Sequence, residues 1–85
     1  RNVIINTGVC VDHDCDIGDH VHLAPGVTLS GDVSIGEGSH VGTGSTVIQG
    51  VRIGKNCIIG AGSLVLKDTA DGITIAGNPA KVLEK

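Results

Sequence analysis

The chain has 85 residues, a formal net charge of −3, and no Phe, Tyr, Trp or Met. This length is enough for one domain, whose core has to be built from small aliphatic side chains because the large ones are missing. Without a basic stripe or aromatic side chains that stack on bases, the sequence predicts no nucleic-acid binding. No apolar run approaches the roughly 18 residues of a membrane span.

An aliphatic residue recurs at every sixth position, and the register does not slip once. An α-helix of period 3.6 cannot keep a six-residue repeat on one face, so the pattern excludes a helical structure. A second row of small or medium side chains follows four positions after each aliphatic. The aliphatic positions are Ile5, Val11, Ile17, Leu23, Leu29, Ile35, Val41, Val47, Ile53, Ile59 and Val65.

A longer period of eighteen residues lies over the short one, as in the recurring tripeptides 17–19, 35–37 and 53–55. Three hexapeptides therefore make one coil, with one short strand on each side of a triangle. Successive coils are expected to stack as parallel sheets about 4.8 Å apart. The sequence thus predicts an all-β protein, a triangular parallel β-helix over residues 1–70.

The pattern changes after Val65. Residues 67–72 have the composition of a loop, residues 73–75 are predicted to form a last short strand, and 77–79 break the chain. Residues 80–85 are interpreted as a tail, so that 71–85 completes the same domain. A short solenoid with an open end is marginally stable alone, and we expect an oligomer or a preceding cap.

Three cysteines, an odd number without a C-x-x-C pair, argue against a disulfide framework or a zinc ribbon and favour a reducing compartment, the cytoplasm.

The first candidate for chemistry is His13, which lies two positions after Val11 and should point outward. A histidine beside a carboxylate, here Asp14, is a possible general base. Gly31 follows in the same eighteen-residue column, and its bare N–H could stabilise an oxyanion. The alternative is an exposed histidine in an acidic patch formed by residues 12, 14 and 16.

The second candidate is a corner of small residues. His22 stacks on His40, and the nearby columns contain Asn6, Thr43 and Ala61. An extended, thin ligand could lie along this strip, or the corner simply needs small residues. His13 and His22 are nine residues apart, half a coil, and face opposite ways. A site that uses both must lie between two subunits.

Three stretches, at 5–15, 22–26 and 76–81, resemble the hexapeptide-repeat acyltransferases. They are most similar to the sialic acid O-acetyltransferases and the bacterial nucleotide-amino-sugar N-acetyltransferases. This resemblance implies a left-handed β-helix and a homotrimer with active sites between subunits. It also implies acetyl-CoA as co-substrate, a sugar or nucleotide-sugar acceptor whose hydroxyl or amine is acetylated by direct transfer, and no metal.

The resemblance also implies roles for individual residues. His13 matches the proton acceptor, Asp14 its acidic neighbour, and Gly31 the glycine beside the oxyanion. The remaining positions match binding residues. By this resemblance, His22 matches a residue that contacts acetyl-CoA, Thr43 and Ala61 match positions whose backbones line the coenzyme channel, and Asn6 matches a residue near the acceptor sugar.

Two alternatives remain open at this point. A γ-carbonic-anhydrase-like metalloenzyme is also a trimeric left-handed β-helix and would place three histidines on zinc. This chain has four histidines but lacks an H-x4-H pair. A non-catalytic trimeric structural module is the other alternative, since the repeat by itself carries no chemistry.

Overall fold

The computed structural model describes residues 3–84, which fold into short strands joined by tight turns. Each strand in the repeat region spans two residues, and only the last two are longer. In chain order the strands are β1 (Ile4–Ile5), β2 (Cys10–Val11), β3 (Asp16–Ile17), β4 (His22–Leu23), β5 (Thr28–Leu29), β6 (Ser34–Ile35), β7 (His40–Val41), β8 (Thr46–Val47), β9 (Arg52–Ile53), β10 (Ile58–Ile59), β11 (Leu64–Val65), β12 (Thr74–Gly77) and β13 (Ala80–Glu84).

These strands form the three sides of a triangular parallel β-helix. Side A contains β1-β4-β7-β10-β12-β13, side B contains β2-β5-β8-β11, and side C contains β3-β6-β9. The register places Leu23 beside Val41 and Ile35 beside Ile53, so successive coils are offset by eighteen residues. The prediction of an all-β solenoid with three hexapeptides per coil is therefore confirmed. We name the corners AB, BC and CA after the sides that they join.

The aliphatic side chains of the six-residue repeat fill the interior. From Leu23 onward they are almost completely buried, whereas Ile5 is 54% and Val11 41% exposed. The reason is geometric: an inward side chain is covered by a coil on each side, and within residues 3–84 the first coil has a neighbour on one side only. The second inward row completes the core with valines, a cysteine and serines.

The buried serines of this second row bond the backbone of the next coil. Ser45 Oγ donates to Gly60 O at 2.9 Å and accepts from Ser63 N at 3.2 Å. Ser39 makes the equivalent bonds at the CA corner. A hydroxyl can donate and accept at the same time. Each serine therefore fills less of the core than a valine would, but makes two hydrogen bonds to the backbone.

The final coil is two residues shorter than the others, because Ile58 pairs with Thr74 rather than with a residue eighteen positions on. Side C lacks a strand in this coil, and side chains take over its hydrogen bonds. The oxygens of Asp68, Thr69 and Asp71 accept from the N–H groups of Arg52, Gly54 and Lys55 respectively. The free edge of β9 is therefore covered by the loop.

Residues 80–84, interpreted from the sequence as a tail, form a strand instead. β13 runs antiparallel to β12, with Gly77 paired to Ala80 across the turn. The turn at 78–79 reverses the chain, and the free edge of β12 offers unpaired backbone groups to the returning segment. Side A thus ends in a hairpin.

Candidate functional site

His13 lies at the BC corner, two residues after the end of β2, and its carboxylate partner is Asp12. Asp12 Oδ1 accepts hydrogen bonds from His13 Nδ1 at 2.9 Å and from His13 N at 2.7 Å. The hydrogen bond and the charge of Asp12 raise the pKa of His13, and the same bond lowers the pKa of Asp12. Because Nδ1 carries the proton, Nε2 of the neutral ring is free to accept one.

The sequence assigned this orienting role to Asp14, and the structure places Asp12 there. Asp14 adopts a left-handed conformation, with φ of 58°, in the turn that follows. Asp12 precedes the ring and reaches both the main-chain and the side-chain nitrogen of His13, a local arrangement that Asp residues often adopt. A role of Asp14 in catalysis stays a prediction. The signal for Asp12 in the sequence was its place directly before His13.

Gly31 lies directly under the His13 ring, one coil further along. A Cβ built at Gly31 would be 2.7 Å from His13 Cε1 and 2.9 Å from Nε2. Such contacts are too short for any side chain, so only glycine lets the ring lie over this corner. Within residues 3–84 the Gly31 N–H has no hydrogen-bond acceptor, whereas its carbonyl accepts from Gly50 N at 3.0 Å. The structure therefore brings His13 and an unpaired N–H together.

A second cluster lies where side A meets the AB corner. Asn6 Nδ2 is 3.0 Å from His22 Nε2 and donates to Leu23 O at 3.1 Å. The His22 ring lies against the His40 ring of the next coil in a tilted arrangement, with 4.5 Å between centroids and 47° between planes. His22 is half-buried and His40 is exposed. The structure thus joins Asn6 to His22, a contact that sequence spacing alone does not specify.

Thr43 and Ala61 lie on the turns of the AB corner, in one exposed column with Pro25. The turns are joined by main-chain hydrogen bonds, including Gly62 N to Thr43 O at 2.7 Å. A Cβ at Gly42 would be 2.6 Å from Ala61 N, so neighbouring turns are packed backbone to backbone. The column forms a narrow ridge of small side chains that extends from the Asn6–His22 cluster toward the hairpin.

The two clusters lie on opposite parts of the triangle. His13 and Gly31 are at the BC corner, and that corner faces away from side A, where His22 lies. A surface groove of about 330 Å³ on side B reaches Asp12 and is lined by Thr28 and Ser30. Space for a ligand or a neighbouring chain therefore adjoins the His13 cluster, and the two clusters do not meet within one chain.

Residues 3–84 contain no group of three or more His, Cys, Asp and Glu side chains arranged to hold a metal ion. They also contain no helix with the length and apolar character needed to cross a membrane.

Comparisons with known proteins agree with the repeat. Residues 32–67 match the family model of the bacterial transferase hexapeptide, six repeats. Among curated proteins, no sequence matches the chain.

Solved structures describe the similarity in more detail. A His-to-Asn variant of perosamine N-acetyltransferase from Caulobacter crescentus, in complex with CoA and GDP-perosamine, is 46% identical with a TM-score of 0.96; the match covers 98% of this chain and 40% of that one. The acetyltransferase domain of PglB from Neisseria gonorrhoeae, in complex with acetyl coenzyme A, is 48% identical with a TM-score of 0.94, covering 95% and 40%. WeeI from Acinetobacter baumannii is 36% identical with a TM-score of 0.88, covering 96% and 44%.

The chain spans about two fifths of the length of these relatives, 40% to 44%. The similarity extends over nearly all of its own length, and the repeat, the sheet order and the family match point to one architecture. The chain therefore carries the hexapeptide repeat of the bacterial transferases and folds as their left-handed parallel β-helix.

Proposed function

We propose that this chain is the coenzyme-binding and catalytic β-helix of an acetyltransferase that moves an acetyl group from acetyl-CoA to an amino group of a nucleotide-linked sugar. The observation that carries the proposal is the BC corner, where His13 is held by Asp12 and lies over Gly31, whose N–H has no acceptor within residues 3–84. An amine as acceptor is supported by the relatives, which include an N-acetyltransferase in complex with CoA and GDP-perosamine.

In the proposed reaction the acceptor amine attacks the carbonyl carbon of the thioester. A C–N bond forms, and His13 Nε2 takes a proton from the amine. The Gly31 N–H donates to the oxygen on which negative charge develops. The C–S bond then breaks, coenzyme A leaves as a thiolate, and the proton on His13 neutralises it. Asp12 stabilises the imidazolium during this cycle.

The coenzyme is proposed to lie along the AB corner, with His22, Thr43 and Ala61 beside it and Asn6 near the acceptor. The exposed small residues of this ridge allow a thin, extended molecule to follow the helix axis. Because the BC corner and side A of one chain point apart, each complete site combines His13 of one subunit with the His22 cluster of its neighbour. We therefore propose a homotrimer, as the resemblance implies.

We place the protein in the cytoplasm, where acetyl-CoA is made. The three cysteines support this location, since all are free and Cys10 is exposed.

The experiment follows release of coenzyme A with a thiol reagent while a nucleoside-diphosphate amino sugar is acetylated. His13→Asn should lower kcat by about 10²- to 10⁴-fold, the usual contribution of a general base. His20→Asn is the matched control, because His20 is also exposed on a turn and its φ of 60° is one that Asn tolerates. Full activity of His13→Asn would refute the assignment.

Binding is tested separately by calorimetric titration with acetyl-CoA, in a sample whose oligomeric state is measured by light scattering. About one ligand per chain is expected. Ala61→Trp should abolish binding, because it places a large side chain on the ridge along which the coenzyme is proposed to lie. Absence of binding in a trimeric sample would leave a structural module as the better interpretation.

A further inference from the structure

The Asn6 side chain fixes the chemistry of His22 through the direction of its hydrogen bonds. Leu23 O is a carbonyl and can only accept, so the atom of Asn6 that faces it at 3.1 Å must be the amide nitrogen. The second hydrogen of that nitrogen is then directed to His22 Nε2, 3.0 Å away. An amide nitrogen does not accept hydrogen bonds, and His22 Nε2 therefore has to be the acceptor.

A ring nitrogen that accepts a hydrogen bond carries no proton. In the neutral ring the proton of His22 consequently lies on Nδ1, and this tautomer is imposed by Asn6. Within residues 3–84 no acceptor for His22 Nδ1 is found, although the ring is half-buried. The arrangement leaves one N–H donor of defined position pointing away from the Asn6 contact.

The orientation of the His22 ring is further restricted by its neighbours in the column. On one side the tilted ring of His40 lies 4.5 Å away, measured between centroids. On the other side Ile4 is paired with His22 in the sheet register. His40 is itself exposed, and it lies between His22, whose ring it contacts, and Ile58, its partner in the sheet register of the following coil.

We propose that Asn6 and His40 are positioning residues that hold His22 as the Nδ1–H tautomer, so that its Nδ1–H donates to a carbonyl oxygen of the bound acyl-coenzyme. The group addressed is a thioester or amide carbonyl, which accepts but does not donate. This donor role rests on the proposed function, whereas the tautomer itself does not. Asn6 thereby acts through His22, in addition to any contact with the acceptor sugar.

The tautomer is tested by NMR on the purified protein labelled with ¹⁵N-histidine, without ligand and at a pH where the rings are neutral. Protonated and unprotonated ring nitrogens have well-separated shifts, and His22→Gln assigns the His22 signals by their loss. We expect an unprotonated Nε2 in the wild type. Asn6→Asp presents an acceptor in place of the donor and should move the proton to Nε2.

Asn56→Asp is the matched control, because it makes the same chemical change on an exposed turn of the CA corner. It should leave the His22 signals unchanged. A protonated His22 Nε2 in the neutral wild type would overturn the proposal. If Asn6→Asp does not fold, the wild-type spectrum still decides the tautomer.

The donor role is tested by steady-state kinetics. At a pH high enough to keep the His22 ring neutral beside the new carboxylate, Asn6→Asp should raise KM for acetyl-CoA by about 3- to 10-fold, as expected for the loss of one hydrogen bond. His40→Leu should raise KM by about 2- to 3-fold, and His40→Phe, which keeps a stacking ring, should restore most of the loss. The donor role would be overturned if Asn6→Asp and His40→Leu both left the KM for acetyl-CoA unchanged. Absence of acetyl transfer by the wild type would refute the proposed function and leave the NMR result intact.

Discussion

Replacement of Gly31 by Ala should disable His13 without unfolding the protein. The three atoms nearest to a Cβ at this position all belong to the His13 ring, at 2.7, 2.9 and 3.4 Å. Ordinary van der Waals contact begins near 3.4 Å, so the ring has to move by 0.7 Å, the difference between 3.4 and 2.7 Å. Such a shift lengthens or breaks the 2.9 Å hydrogen bond to Asp12.

The size of the effect follows from this displacement. A misplacement of about 1 Å in a catalytic group can cost about 100-fold in rate, so we expect kcat to fall by about 30- to 100-fold. The His13 side chain is 65% exposed and can swing into solvent. Stability should therefore change by less than about 1 kcal/mol, because the added methyl displaces no core atom.

The assay is a double-mutant cycle on acetyl transfer, accompanied by thermal unfolding of each variant. Gly31→Ala keeps the N–H that is proposed to bind the oxyanion, so its effect should pass through the ring. In a His13→Ala background, Gly31→Ala should cause little further loss. Equal losses in both backgrounds would show that Gly31 acts independently of His13 and would refute this reasoning, as would a wild-type rate in Gly31→Ala.

Three further predictions concern charge, buried polarity and the ridge. Because Asp12 raises the pKa of His13, the base is lost as pH falls through this raised value, and Asp12→Asn should move the acidic limb of the kcat/KM profile to lower pH; an unmoved limb would contradict this. Ser45→Ala leaves the Ser63 N–H without its acceptor and should lower the free energy of unfolding by about 1–3 kcal/mol in denaturant titrations; a change below about 0.5 kcal/mol would argue against it. Ala61→Leu should raise the acetyl-CoA Kd by at least about 10-fold in calorimetry while leaving the melting temperature unchanged, since the residue is exposed; tight binding would place the coenzyme elsewhere.

The fold could be predicted from the sequence because one physical rule is repeated in every coil. A branched aliphatic at each sixth position needs an inward site, and eighteen residues close one turn. The rule stops applying after Val65, where the closing segment pairs by its own hydrogen bonds. The strand at 80–84 was missed for that reason: it pairs with the free edge of β12, and the repeat pattern contains no signal for it.

For the candidate site, the sequence could predict only which residues share a column and which face of the triangle they lie on. Spacing puts His13 over Gly31 and His22 under His40, and the structure places both pairs in contact. Spacing does not decide between the carboxylates on either side of His13, because that choice depends on the local backbone and the side-chain rotamer. The bond between Asn6 and His22 likewise joins neighbouring columns and follows from amide geometry.

The closing end of the triangular stack bears on self-association. Val65 is 1% exposed, β13 covers the edge of β12, and the side chains of the loop cover the edge of β9. Head-to-tail growth of a fibre needs a sticky surface at this end of the chain. Because the edges of β12 and β9 are both covered, the hairpin and the loop act against the addition of a further chain along the axis.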